Sequence, residues 1–303
     1  MKAMPSRGRQ YLIRLGAASI ALAVLLVVAG CRESARQPAP SGTVQANEAY
    51  ERYFGEPPAG GEGTCFARVG FFPLTADPGR VRPVPLFIFR PEGQLAHLLE
   101  ALETVARELP PHSGLRNPFP PGISARVTAQ TGESVTVDLA GPGVAPDSPD
   151  FQGLAASLVE TALQFEDIER VVITVAGEPA PEMPPEGFGR NPERIAPVGP
   201  PLPLMVVGDW ESGGKDPVEI RISFDRPVDV HDIRLFDADG REIAGEYFRT
   251  GFDMIVALHP AAPQALRPGM TVRAAWRVSD RLGREGRGER DFVLEGHDLP
   301  EGR

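Results

Sequence analysis

The stretch EPAPEMPPEGFGRNPERIAPVGPPLP, residues 178–203, constrains the fold more than any other part of the chain. Proline fixes φ and carries no backbone donor. At this density it excludes a helix interior or a central strand and favours extended, semi-rigid chain. Residues 179–203 therefore read as an interdomain linker. The pattern of apolar residues changes across it: helical and strand periodicities are mixed before it, and period two alone follows it. A length of 303 residues accommodates two such units of about 100 residues each.

In the first unit, residues 64–178, CFARVGFF and PLFIFR are short aliphatic and aromatic runs of the strand type. GQLAHLLEALETVARELP then places Leu95, Leu98, Leu99, Leu102, Val105, Ala106 and Leu109 on one helical stripe, stopped by Pro110 and Pro111. ISARVT and SVTVDL follow as strands about a turn at Gly132. Ser148 suits an N-cap and Pro149 the first position of a second helix, with stripe Phe151, Leu154, Ala155, Leu158, Val159 and Ala162. VVITVAG closes the unit. The order is β-β-α-β-β-α-β, a small α/β sandwich with two helices on one sheet.

In the second unit, residues 204–295, Val218, Ile220, Ile222 and Phe224 alternate with Glu219, Arg221 and Ser223. Val272, Ala274, Trp276 and Val278 alternate likewise, which puts Trp276 on a core face. Six or seven such strands predict an antiparallel Ig-like β-sandwich, and the class of the whole chain is α+β. Residues 296–303 read as a tail.

At the other end, MKAMPSRGRQYLIR is basic and residues 15–30 are uncharged and apolar, then Cys31 follows. This is the layout of a secretory signal, too short for a comfortable membrane span. Val28, Ala29 and Gly30 before Cys31 resemble the bacterial lipobox. The resemblance implies a signal peptide over 1–30 and a diacylglyceryl group on Cys31, since two acyl chains hold stably where one does not. Residues 31–63, polar and rich in small residues, read as a flexible tether. Cys65 then has no disulfide partner and fits a packed small hydrophobe.

Pro121-Gly122, the strand Val135-Thr136-Val137-Asp138-Leu139, Thr161, Phe165 and the ending at 171–177 resemble the GerMN domain of spore-germination and sporulation proteins. ISFDRPVDVHDIRLFDADGREIAG, ALRPGMTVRAAWRVSD and GERDFVL resemble bacterial Ig-like modules of the surface-layer and copper-resistance type. The first resemblance implies an extracytoplasmic, non-enzymatic domain that associates with other envelope components. Related domains build rings, so self-association into a homo-oligomer joins the expected partners.

The chain's formal charge of −10 and pI near 5.1 argue against nucleic acid as a partner. No G-x-S-x-G or H-E-x-x-H occurs, and the histidines His97, His112, His231, His259 and His297 show no ligand spacing. FDADGRE offers Asp237 and Asp239 in the manner of a calcium loop. Leu235 stands where the first ligand belongs, however, so a tight turn at Gly240 is the better reading. His231, Asp232 and His259 make at best a weak copper set. The acidic residues Asp147, Asp150, Glu166, Asp167 and Glu169 read as helix-terminal and surface charge.

No cofactor, metal or catalytic residue is expected. The sequence points to a lipid-anchored protein on the extracytoplasmic face of the cell membrane, with binding or scaffolding modules for sporulation, germination or cell-wall assembly. Its expected partners are envelope or sporulation proteins and peptidoglycan. Two alternatives stand beside this reading: an extracytoplasmic hydrolase of wall or ester substrates, and a metal or small-ligand carrier.

Overall fold

The computed structural model describes residues 42–60, 63–141, 149–179 and 184–299. Cys31, the lipobox residues Val28, Ala29 and Gly30, and Ser148 lie outside them. The class is the expected one, α+β, with a mixed N-terminal unit followed by a β-sandwich.

The N-terminal unit differs from expectation in its sheets and its helix number. β1 (Thr43–Ala46) runs parallel to β2 (Thr64–Pro73), and β2 pairs antiparallel with β3 (Val81–Ile88). β4 (Ser124–Thr131), β5 (Ser134–Ala140), β6 (Arg170–Val175) and β7 (Glu178–Pro179) form a separate sheet in that order. Among the described residues three α-helices accompany them: α1 (Glu48–Phe54), α2 (Gln94–Arg107) and α3 (Pro149–Ala162). The expected single sheet is thus two, and the physical reason lies at the edges of the first. Pro83 and Pro85 leave β3 without donors at those positions, which suits an edge strand. Along the other side of β2, beyond β1, side chains of α3 take the place of a neighbouring strand.

α1 and β1 fall within the segment read as a flexible tether, and residues 42–60 are instead part of the folded unit. Asn47 caps α1, its side chain accepting from the Tyr50 N–H at 3.0 Å. Tyr50 and Phe54 are buried with Ala67, Val69 and Phe71 on one face of β2. Phe72, on the opposite face, joins the larger core between α2, α3 and β4–β6. β2 is therefore buried on both faces, as its apolar residues on both sides of the strand require, and Arg68 is buried with them. Gly70 leaves room there for the Leu86 side chain, whose end would lie 2.5 Å from an added Cβ and would have to shift.

The described part of the Pro-rich segment contains no α-helix and carries a short 3-10 turn at Pro192–Arg194, and it lies against the N-terminal unit. Phe188 bridges to Val171 and Ile195 to Val81, and Ala196 is buried. Glu160, buried on α3, accepts the Asn191 N–H at 3.2 Å, and Arg190 donates to the Leu163 carbonyl at 2.6 Å. Burial pushes the Glu160 carboxyl up from its ordinary value, while the Asn191 N–H, Arg190 and Arg194 oppose the shift.

The C-terminal unit comprises β8 (Pro203–Glu211), β9 (Pro217–Phe224), β10 (Asp229–Phe236), β11 (Gly245–Thr250), β12 (Ile255–Pro260), β13 (Thr271–Ser279) and β14 (Glu285–Leu299). β14 pairs antiparallel with β13 over 285–293, then parallel with β8 over 294–299, and so joins both halves of a curled sheet around one core. Residues 296–299, read as tail, belong to this strand. The period-two pattern holds along β13, with Trp276 in the core. It fails at Val218, which is exposed: the register slips between Asp209 and Trp210, and Val218 is the residue left over.

Candidate functional site

A groove of about 620 Å³ opens where the start of α1, the middle of β2, the turn after α3 and Arg190 converge. Its floor is built by backbone satisfaction. The Gln164 side chain accepts the Val69 N–H at 2.9 Å and donates to the Val69 carbonyl at 2.7 Å. Thr161 accepts the Phe71 N–H at 3.1 Å, and Ser157 donates to the Phe71 carbonyl. Three side chains spaced four and three residues apart thereby complete a strand edge that would otherwise be buried with bare polar groups. Asn47 ties α1 to the same point, its amide donating to Gln164 Oε1 at 3.1 Å.

Arg68 forms one wall. It donates to Gln94 Oε1 at 2.9 Å and to the Gln45 carbonyl at 2.9 Å, and it lies over the Phe66 ring. Burial, the dominant influence, lowers its pKa from the ordinary arginine value. Arg52, paired with Glu48, together with Glu166, Glu169 and Phe165, completes the rim. The groove presents amide and guanidinium donors, carboxylate acceptors and one aromatic side chain. This set suits hydrogen-bonded recognition of a polar chain.

A second cleft of about 730 Å³ lies between α2 and the loop 116–124. Its charges are paired within the protein, Arg107 with Glu103 and Arg116 with Asp150. Gly122 adopts φ +81° here, and its carbonyl lies so near Gly141 that a Cβ on the latter would come within 2.2 Å.

Among the residues that carry the sequence resemblance, Phe165 lies on the groove rim, whereas Asp138, Thr161, Val135, Val137 and Leu139 are framework residues. Asp138 accepts from Thr174 Oγ1 at 2.6 Å and from the Gly177 N–H at 2.7 Å, which fixes the turn that ends β6. Thr161 holds β2, as described, and Val135, Val137 and Leu139 are fully buried. The sequence reading missed the floor of the groove. An Asn47 N-cap followed by Glu48 and Glu51 in the first turn was the available signal.

The other candidates are dispersed. His97 meets Glu100, His231 meets Ser279, His259 meets Glu219 and His297 meets Asp209, while His112 sits edge-on to Phe292. His231 and His259 thus have separate partners on different strands. Asp237 spends its carboxylate on the N–H groups of Asp239 and Arg241, and Gly240 takes φ +79°, so FDADGRE is a turn. Among the described residues no cluster of three or more His, Cys, Asp or Glu could hold a metal. Cys65 is buried, and that burial pushes its thiol up to about 11. Asp167 accepts from Gln130 at 2.7 Å. Asp147 lies outside the described residues.

Residues 71–181 match the Germane family, described as sporulation and spore germination. The Germane segment starts within β2 and takes in α2, α3 and the second sheet, whereas β1 and α1 precede it. Among solved structures, the tandem GerMN domains of the sporulation protein GerM from Bacillus subtilis share 20% identity over 42% of this chain and 45% of that one, with a TM-score of 0.31. The chain thus spans less than half of that relative. CopC from Methylosinus trichosporium OB3b is 14% identical over 33% of this chain and 98% of its own, with a TM-score of 0.23. PcoC, a methionine-rich copper resistance protein from Escherichia coli, is 15% identical over 32% and 100%, with a TM-score of 0.24. No curated protein sequence matches the chain.

Proposed function

We propose that this is a lipid-anchored protein of the extracytoplasmic face, whose Germane segment and β-sandwich are non-catalytic binding modules serving sporulation, germination or wall assembly. The observation that carries the reading is the Germane match over 71–181. The geometry supports it in two ways. Gln164 beneath the groove is spent on holding backbone, while Phe165, Glu166 and Glu169 on the rim offer an aromatic face and carboxylate acceptors to a partner. The β-sandwich is also held against the groove-bearing unit by specific contacts, so the two modules act as one body. Acyl chains on Cys31 hold the chain to the bilayer, and the module surfaces engage envelope proteins or peptidoglycan.

The test is crosslinking and pull-down of the full-length protein from intact cells, with Cys31→Ala as the control. The expected result is recovery of wall-synthesis or sporulation proteins from the membrane fraction, lost when Cys31 is replaced. A residue 31 found unmodified by mass spectrometry on a chain retained in the cytosol would overturn the proposal.

A further inference from the structure

A cavity of about 190 Å³ lies at the seam between the two units, away from the groove. Its walls are mostly aliphatic: Val84, Val105 and Leu109 come from the N-terminal unit, Leu204 and Met254 from the sandwich. Arg82, Asp225 and Arg226 complete the lining.

The charges at this wall do not cancel. Arg226, almost fully buried, donates to Asp225 Oδ2 at 2.6 Å, Asp280 Oδ2 at 3.2 Å and the Gly199 carbonyl at 2.9 Å. Asp280 also takes the Arg284 Nε–H at 2.6 Å, and Asp225 takes the Leu202 N–H at 3.1 Å. Both carboxylates are therefore committed. Arg82 donates to the neutral carbonyl of Ser113. The lining thus holds two guanidinium groups (Arg82, Arg226) and one carboxylate (Asp225), and because Asp225 is paired with Arg226 the surplus positive charge rests on Arg82. Its surroundings penalise that charge, since burial lowers its pKa.

We propose that this cavity binds a small amphipathic monoanion, an aryl or short aliphatic carboxylate. Its carboxylate sits on Arg82 and its apolar body lies among Val105, Leu109, Leu204 and Met254. The size fits: an apolar cavity of about 150 Å³ accommodates benzene, and this one leaves room for a small substituent. A planar guanidinium also matches a carboxylate in a two-point bond. Because the walls come from both units, an occupant stabilises their docked arrangement by linkage. The site is independent of the envelope role proposed above.

Calorimetric titration of the full-length protein with benzoate, benzyl alcohol and benzylamine tests the idea, since the three share size and differ in charge. Benzoate is expected to bind and to raise the melting temperature, with the alcohol about tenfold weaker or more, the loss of a charge-assisted bond, and the amine inert. Arg82→Met is expected to reduce benzoate binding to the level of the alcohol, Arg82→Lys to leave an intermediate affinity because the charge stays but the two-point bond is lost, and Val105→Trp to abolish both by filling the space. Absence of benzoate binding, equal binding of benzoate and benzylamine, or unchanged benzoate affinity in Arg82→Met would each overturn the proposal. The comparison of the three probes on the unaltered protein stands even where a variant does not fold.

Discussion

Gln164 does the work of a strand. Its amide pairs with both polar groups of Val69, as a neighbouring backbone would, and Thr161 serves Phe71 in the same way. Removing such a partner leaves a buried group unsatisfied, at a cost of about 1–3 kcal/mol. Gln164→Leu and Thr161→Val are each expected to lower stability by that amount in urea denaturation, with little change in slope. An unshifted midpoint would mean that β2 finds another partner. Cys65 gives a second residue-scale expectation. Its thiol is raised from 9.0 to about 11, so the unfolded chain releases its proton first as pH rises. Stability contributed by the neutral thiol is complete below pH 9 and is lost between 9 and 11, by at most about 1.4 kcal/mol per pH unit. Cys65→Ala should flatten that slope. At pH 8, iodoacetamide should leave residue 65 unmodified until the protein is denatured, as peptide mass spectrometry would show.

At the scale of elements, α1 was the least readable part of the chain. Seven residues are too few to be helical alone, and TVQANEAYERYF shows no extended apolar stripe. Its order comes from Tyr50 and Phe54 entering a space made by β2 and from Asn47 reaching Gln164. Phe54→Ala is expected to destabilise the protein by about 3–5 kcal/mol. In a flexible tether the same change would stay within about 0.5 kcal/mol, so equilibrium denaturation separates the two descriptions cleanly. α2 and α3 were readable because each carries a long apolar stripe, and both form where the pattern puts them. The ladder of Ser157, Thr161 and Gln164 was not, because polar residues on a helix ordinarily face water. Here they face a strand.

At the scale of the molecule, the two units meet through specific contacts. The Phe87 and Phe252 rings stack at 4.3 Å and 7°, and Arg284 donates to the Tyr53 carbonyl at 2.6 Å. Within the sandwich, Arg281 pairs with Asp229 at 2.6 Å and with Asp253 at 2.7 Å. Gly251, Phe252 and Asp253 all take φ near +58°, a strain of about 1–3 kcal/mol at each of the two non-glycine positions. The stack and the ion pair hold that turn in place. Phe252→Ala is expected to uncouple the units, splitting a single calorimetric unfolding transition into two. One transition at an unchanged temperature would show that the stack contributes nothing to the coupling.

By itself the sequence determined most local choices: which of the runs after residue 63 are strands or helices, where proline forbids both, and that the second unit is a sandwich. These follow from period and backbone chemistry, which neighbours along the chain fix. Only the tertiary structure decided that the N-terminal strands divide into two sheets, that residues 43–54 and the Pro-rich segment pack against the fold, and that a charged cavity lies at the seam. Each of those depends on groups far apart in sequence meeting in space, as Gln164 meets Val69 and Arg82 meets the Ser113 carbonyl. No local pattern records which distant partner will satisfy a buried polar group.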